Sequence, residues 1–153
     1  SELCLLGVDC LNGALKTLCK SLGIEGKVKF CDMVPYREMP GYYSWADIML
    51  HTSLSEGQCM ALTEAAACGV LISGTRVGLL HDLGEDCGIT VDFGDHEGLA
   101  HRVIDVVNDR ERWLAKIKNA NTWSQQHTLH WTIDKLTDML DNLGAARQAT
   151  KNL

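Results

Sequence analysis

Short apolar segments alternate along this chain with longer segments whose apolar residues recur at helical spacing. The short segments are residues 3–8, 28–31, 48–51, 70–73 and 89–92. Parallel strands must be joined by crossover connections, which are usually helices, so this alternation predicts a sheet of parallel strands. We therefore predict an α/β fold with a mostly parallel sheet and helices on both of its faces.

The helical segments carry recognisable capping residues. Gly23 is placed to end the first helix, and Asp95 is placed to cap the start of a later one. The predicted helices cover residues 11–22, 42–46, 58–68, 97–107, 110–126 and 129–143. Residues 74–84 contain several glycines, so we predict a loop there with at most one helical turn. For residues 144–153 we predict a frayed tail.

The composition fits a single globular domain over residues 1–143. Of the 153 residues, 46% are apolar and 22% are charged, which separates the chain from disordered sequences. The formal net charge of −6, without a local cluster of Lys and Arg, argues against a nucleic-acid partner. No apolar run is long enough to span a bilayer. We expect a cytoplasmic protein, with peripheral attachment at the inner membrane face as an alternative.

Seven cysteines are scattered among apolar neighbours without forming a CxxC pair. This distribution is typical of small buried hydrophobic residues in a reducing compartment. Because no cysteine has the local spacing of a zinc-ligand pair, we predict no metal site.

Two glutamates follow the third predicted strand. Glu56 falls in the loop and Glu64 about two turns into the next helix. Carboxylates accept hydrogen bonds from pairs of hydroxyls, as on a sugar or a ribose. The amides at the helix start have no partners within the helix and favour an anion such as a phosphate. These amides belong to Gly57, Gln58, Cys59, Met60 and Ala61.

A purely structural interpretation of the two glutamates remains open. Glu56 would then complement the helix dipole, and Glu64 would pair with a neighbouring basic side chain. His51, at the end of the third strand, is equally consistent with a core histidine and with a contact to a ligand. Arg76 is interpreted as a solvated loop arginine, with a phosphate or acceptor contact as the alternative.

The Glu56-x7-Glu64 pattern, with Ser53-Leu54-Ser55 before it, resembles the signature of retaining glycosyltransferases of the GT-B fold, of the glycosyl transferases group 1 type. The resemblance is to their C-terminal, nucleotide-sugar-binding half and runs from Leu3 to about residue 140. Other matching stretches are residues 28–34, 42–48, 65–70, 74–80, 95–100 and 123–131. It implies a Rossmann-like domain.

The resemblance also implies roles for individual residues. Glu56 would be the catalytic residue, lying against hydroxyls of the donor sugar, and Glu64 would hold the ribose. The amides of residues 57–61 would hold the diphosphate, and Val34 and Pro35 would border the base. The nucleotide-sugar is the substrate, and neither cofactor nor metal is expected. The implied function is transfer of a sugar from a nucleotide-sugar to an acceptor. The alternative is a non-catalytic interaction or regulatory domain of the same fold.

Two departures from the family pattern modify this expectation. Cys59 stands where the family usually has a second glycine, which would narrow the donor cleft or shift the choice of donor. The chain also matches the family only from its second strand onward. From the resemblance we expect the family's first strand, with its Arg and Lys, and its N-terminal acceptor domain to have no counterpart in residues 1–153. We therefore expect one of two arrangements. Either a homodimer partner or a missing half supplies the strand, or the strands around Leu5 and Ile48 pair directly. We expect the isolated chain to be inactive.

Overall fold

The structure, a computed structural model, describes the backbone of residues 1–151 and the side chains of residues 1–143. The strands are β1 (Leu3–Leu6), β2 (Val28–Cys31), β3 (Ile48–His51), β4 (Leu71–Thr75) and β5 (Gly88–Val91). The helices are α1 (Ala14–Ser21), α2 (Met39–Trp45), α3 (Met60–Ala67), α4 (Leu79–Cys87), α5 (His96–Asn108), α6 (Arg110–Gln126) and α7 (Leu129–Lys151). All of the predicted frayed tail, residues 144–153, lies outside the residues described in full, and the described backbone of residues 144–151 belongs to α7.

The strands form two sheets, one in each of two compact units, Ser1–Tyr42 and Tyr43–Leu153. In the first unit β1 and β2 are parallel, with Leu3 opposite Val28. In the second unit the order is β3-β4-β5, again with parallel neighbours. The α/β fold class with parallel strands is confirmed. Direct pairing of β1 with β3 is wrong for the described residues, because the two strands belong to different sheets.

The core of the second unit lies between its sheet and α5. Every residue of β4 and β5 is buried, as expected for parallel strands covered on both faces. Leu71 and Ile89 are completely buried, and Leu99 and Val106 of α5 pack with them. This core fixes the carboxyl ends of β3 and β4, from which the next loops leave.

The first helix begins three residues later than the periodicity predicts. Asp9 accepts hydrogen bonds through its side chain from the amides of Leu11 and Gly13, both at 2.9 Å. Asn12 and Gly13 then take positive φ values of 51° and 84°. Such a local turn around an aspartate competes with helix formation, so α1 starts only at Ala14.

The segment from Gly74 to Gly84 contains more helix than its glycines predict. The prediction of a loop there is wrong from Leu79 onward, because α4 runs to Cys87 with a kink at Gly84, where φ is 58°. Leu79 and Leu80 are buried at 3% and 0% exposure, and this burial offsets the weak helix propensity of the glycine. Among the described residues, no helix is both long and apolar enough to cross a membrane.

A buried lysine ties α6 to the end of α4 and the start of β5. The Lys116 ammonium donates to the backbone oxygens of Glu85 and Gly88. Arg102 donates to the Glu85 carboxylate and to the Thr90 carbonyl, both at 2.5 Å. Burial raises the pKa of Glu85, but the hydrogen bond from Thr90 and the charges of Arg102 and Lys116 outweigh it and leave that pKa below its usual value.

Candidate functional site

Two neighbouring loops line an open groove of about 310 Å³ in the second unit. One loop follows β3 and the other follows β4, and they meet because adjacent parallel strands end at the same edge of a sheet. The lining residues are Leu54, Ser55, Glu56, Gly57, Arg76, Val77, Gly78, His81 and Asp82. The groove therefore has the position at which ligands bind open α/β sheets.

Gly78 allows the two loops to approach each other. Its φ is +50°, and a Cβ built on it would lie 3.0 Å from the Glu56 Cβ and 3.1 Å from the Gly57 carbonyl oxygen. The Leu79 amide, the next along the chain, donates to the Gln58 carbonyl at 3.3 Å. A residue without a side chain is thus required where the Glu56 loop crosses the start of α4.

The Glu56 carboxylate is oriented by its own loop. Ser53 donates through its hydroxyl to Glu56 Oε1 at 3.0 Å. The loop in turn is tied to β4, because the Thr75 hydroxyl donates to the Ser53 carbonyl at 2.5 Å. The Glu56 side chain is 32% exposed, so its carboxylate is accessible from the groove. The hydrogen bonds of Ser53 and Thr75 fix its position.

The start of α3 lies directly after this loop. Helix α3 begins at Met60, and Cys59 is its N-cap, with a positive φ of 66° and no capping hydrogen bond from its side chain. The Leu62 amide donates to the Cys59 carbonyl at 3.1 Å, so the amides of Met60 and Ala61 are those the helix itself cannot satisfy. These are among the amides that the family resemblance assigns to the diphosphate.

Glu64 lies one turn further along α3 and is half-buried. The Tyr43 hydroxyl donates to Glu64 Oε2 at 2.8 Å. Burial, together with the bond to Glu64, raises the pKa of Tyr43 well above its usual value. The hydroxyl of Tyr43 is one partner of the Glu64 carboxylate, and the alternative of a basic partner for Glu64 stays a hypothesis. Tyr43 is a residue of the site that sequence reasoning missed.

Helix α6 holds the opposite end of α3. The Asn121 side-chain amide donates to the carbonyl oxygens of Ala66 and Ala67, at 3.1 and 2.9 Å. These are among the last carbonyls of a helix, which have no partner within it. The clamp fixes the axis of α3 and, through it, the direction of the amides at the helix start.

The structure brings several of the predicted site residues together around the groove. Glu56 and Gly57 line it, the residues from Gln58 to Ala61 form the adjoining helix start, and Glu64 is not among the lining residues. Val34 and Pro35 belong to the first unit, in the loop between β2 and a short 3-10 helix at Tyr36–Glu38.

Arg76 and His81 also line the groove. For Arg76 the sequence interpretation preferred a solvated loop arginine and kept a phosphate or acceptor contact as the alternative, and it gave His81 no role. Arg76 follows β4 directly, and its side chain is half exposed, with Nε 3.9 Å from an Asp92 carboxylate oxygen. Its position immediately after the carboxyl end of a predicted strand is the sequence feature that could have indicated a place in the site. It brings a positive charge to a groove that also holds Glu56.

His51, Glu56 and Cys59 form a cluster beside the groove. His51 Nε2 lies 3.5 Å from Glu56 Oε1, and its Nδ1 lies 3.7 Å from the Cys59 sulfur. The three residues come from the end of β3, the loop and the start of α3. A spacing of His-x4-Glu-x2-Cys is the only sequence signal of this cluster.

The fold is shared with several solved glycosyltransferases. The Anabaena protein HepE in complex with UDP superposes with a TM-score of 0.80 and 21% identity, covering 92% of this chain and 41% of that one. Sucrose-phosphate synthase from Thermosynechococcus elongatus gives a TM-score of 0.80 and 22% identity, covering 95% of this chain and 39% of the other. The C-terminal domain of a glycosyl transferase group 1 protein from Francisella tularensis gives a TM-score of 0.68 and 18% identity, with coverages of 76% and 61%.

Sequence comparisons lead to the same group. N-acetyl-alpha-D-glucosaminyl L-malate synthase of Bacillus anthracis is 34% identical over 96 residues, 61% of this chain and 25% of the relative. D-inositol 3-phosphate glycosyltransferase of Corynebacterium urealyticum is 25% identical over 131 residues, 84% of this chain and 31% of the relative. The chain thus spans less than a third of the length of these two proteins. The sequence profile of the glycosyl transferases group 1 matches residues 2–123, and the chain belongs to that family.

Proposed function

We propose that the second unit is the donor-binding part of a retaining glycosyltransferase that moves a sugar from a nucleoside diphosphate sugar to an acceptor. The observation that carries the proposal is the position of the Glu56 carboxylate, in the groove and directly before the start of α3. The Glu56 carboxylate, which can accept hydrogen bonds from sugar hydroxyls, then lies beside a helix start that can bind a phosphate. Family membership and the fold shared with HepE, whose structure contains UDP, support the proposal.

The diphosphate is assigned to the start of α3 and to Arg76. The amides of Met60 and Ala61 and the positive end of the helix dipole favour an anion. Arg76, from the loop after β4, adds a full positive charge in the groove that adjoins this helix start. These groups act on the charge that develops on the leaving diphosphate, which is where electrostatic catalysis is most effective.

The two glutamates are assigned to different hydroxyl groups of the donor. Glu56, the proposed catalytic residue, lies in the groove and contacts the sugar. Glu64 lies one turn into α3 and holds the ribose, with Tyr43 fixing the direction of its carboxylate. A carboxylate accepts two hydrogen bonds from a vicinal diol, so each glutamate suits the part of the donor assigned to it.

Isothermal titration of the 153-residue chain with UDP, UDP-glucose, UDP-N-acetylglucosamine and GDP-mannose tests these assignments. We expect Glu64→Ala to weaken binding of both the free nucleotide and its sugar by roughly 10-fold, the worth of a charged hydrogen bond. Glu56→Ala should weaken binding of the nucleotide-sugar and leave the free nucleotide unchanged. Asp105→Ala, which removes an exposed carboxylate from α5, is the matched control and should change neither.

Two results would overturn the proposal. A folded chain that binds none of the four ligands would favour the non-catalytic interaction domain. Equal effects of Glu56→Ala and Glu64→Ala on free UDP would contradict the assigned roles. Sugar transfer itself is expected only when an acceptor-binding domain is present.

A further inference from the structure

We propose that His51 is a positioning residue for the Glu56 carboxylate, to which its Nε2–H donates a hydrogen bond. This role rests on the contact proposed above between Glu56 and the donor sugar. His51 Nε2 lies 3.5 Å from Glu56 Oε1, and the His51 side chain is only 12% exposed. Because the ring is largely shielded from water, a hydrogen bond between the two groups is stronger than one at the surface.

The Nε2 atom of His51 has a free hydrogen-bonding capacity. It is a buried atom, and it forms no hydrogen bond to any of the residues that the structure describes. A buried polar atom without a partner is costly, and Glu56 Oε1 stands just beyond ordinary hydrogen-bond length. Hydrogen bonds of an active site are often long before the ligand arrives and shorten in the complex. The bond between His51 and Glu56 accordingly closes when a donor sugar occupies the groove.

The position of the His51 ring is set by the sheet. His51 is the last residue of β3 and pairs with Gly74 of β4. A Cβ built on Gly74 would collide with the His51 carbonyl oxygen, so the two backbones are in close contact. Glu56, by contrast, lies in the loop between β3 and α3. A hydrogen bond from His51 therefore ties a carboxylate on a loop to a fixed pair of strands.

The Cys59 thiol selects the ring tautomer that this bond requires. Its sulfur lies 3.7 Å from His51 Nδ1, the ring nitrogen that does not face Glu56. A neutral imidazole has one donor and one acceptor nitrogen, and the partner of one nitrogen decides the state of the other. When Nδ1 accepts from the thiol, the proton resides on Nε2, opposite the Glu56 oxygen. The reverse tautomer would set a lone pair against the carboxylate, which is unfavourable.

Calorimetry with UDP-glucose and with free UDP tests the role of His51 in donor binding. His51→Leu removes the Nε2–H, and we expect it to weaken UDP-glucose binding roughly 3- to 10-fold, the net worth of one hydrogen bond. Free UDP, which carries no donor sugar, should bind as it does to the wild type. His51→Gln, whose side-chain amide can donate from nearly the same place, should restore most of the loss. His101→Leu, which replaces an exposed histidine of α5, is the matched control and should change neither affinity.

Nitrogen NMR of the histidine rings provides a readout that needs no donor. At neutral pH we expect His51 to show a protonated Nε2 and an unprotonated Nδ1, with its signals identified by their loss in His51→Gln. Glu56→Ala should shift the Nε2 signal, because the acceptor is removed. Cys59→Ala should lower the fraction of the Nε2–H tautomer. The ring signals of His101 should be the same in both variants, since this residue is exposed on another helix.

The possible results separate this role of His51 from the proposed function. If Glu56→Ala weakens UDP-glucose binding and His51→Leu does not, the donor role of Glu56 stands and the positioning role is refuted. If Glu56→Ala leaves UDP-glucose binding unchanged, the proposed function fails, and the response of the Nε2 signal to Glu56→Ala still decides whether His51 binds Glu56. A His51 ring with a bare Nε2 would overturn the proposal. So would a His51→Gln variant that binds UDP-glucose as weakly as His51→Leu does.

Discussion

Gly78 lies against Glu56 so closely that a Cβ built on the glycine would stand 3.0 Å from the Cβ of the glutamate. This contact joins the loop after β3 to the start of α4. The position of the carboxylate in the groove therefore depends on a residue 22 positions away that has no side chain.

Gly78→Ala should displace the Glu56 loop and weaken nucleotide-sugar binding. The substitution forces an alanine into φ +50° and pushes its Cβ into the loop, so we expect a loss of stability of about 1–3 kcal/mol or more. Chemical denaturation measures the stability, and calorimetry measures the binding of UDP-glucose.

Gly84→Ala provides the matched control for that prediction. Gly84 has nearly the same backbone angles, φ 58° and ψ −156°, but nothing lies within 4 Å of a Cβ built there. The Gly84→Ala variant should therefore have the backbone strain without the steric contact, and should leave donor affinity unchanged. Equal donor affinities for the two variants would show that the Gly78 contact does not position Glu56.

Asn121→Ala should loosen α3. The variant leaves the carbonyls of Ala66 and Ala67 without the side-chain amide that now binds them, and we expect a destabilisation of about 1–2 kcal/mol. Urea denaturation measures the change, with Lys118→Ala as the control, since Lys118 is exposed on the same helix. An Asn121→Ala variant as stable as that control would show that the clamp contributes nothing.

The bond between Tyr43 and Glu64 should show energetic coupling. Tyr43→Phe removes only the hydroxyl that donates to Glu64 Oε2, and should weaken UDP binding several-fold because the carboxylate loses a hydrogen bond that orients it. In a double-mutant cycle with Glu64→Gln, the two effects should be non-additive by about 1 kcal/mol. Additive effects on UDP affinity would mean that the tyrosine does not orient the carboxylate.

Glu85 should make the protein acid-sensitive. Its pKa in the folded state lies below the ordinary value of 4.5, so the folded form binds the proton less readily than the unfolded form does. The resulting stability is fully present above pH 4.5 and is lost as the pH falls through the folded-state pKa. Glu85→Gln should therefore be less stable than wild type at neutral pH, with a difference that shrinks in acid.

Denaturation curves recorded between neutral pH and about pH 3 measure how the stabilities of Glu85→Gln and wild type converge. The acid limit lies below the ordinary pKa range of carboxyl groups. Asp105→Asn, on the exposed face of α5, is the control and should leave the pH dependence unchanged. A Glu85→Gln difference that stays constant with pH would refute the linkage.

Sequence patterns predicted the regular elements well where local signals decided them. Helix α6 has the predicted bounds because Asp109 caps its first turn, accepting from the Arg112 amide at 3.0 Å. Strands β2 and β3 have the predicted bounds because their apolar runs end in turn-forming residues. These signals lie within a few residues of the structure they determine.

The contacts that build the site were not predictable in this way. Tyr43 and Glu64 are 21 residues apart, and the cluster of His51, Glu56 and Cys59 depends on the path of one loop. The conformation of α4 depends on the burial of Leu79 and Leu80, which no local pattern reports. The family resemblance implied roles for Glu56 and Glu64, but only tertiary packing determines which side chains contact them.

The left-handed backbone of Cys59 holds a cysteine at a position where glycine would be more stable. A selection for thermal tolerance would replace this cysteine by glycine, since glycine adopts the conformation without penalty. The same replacement would remove the sulfur from beside His51. Variants of this chain optimised for yield or heat resistance should therefore be checked at residue 59 before their ligand chemistry is compared with that of the original protein.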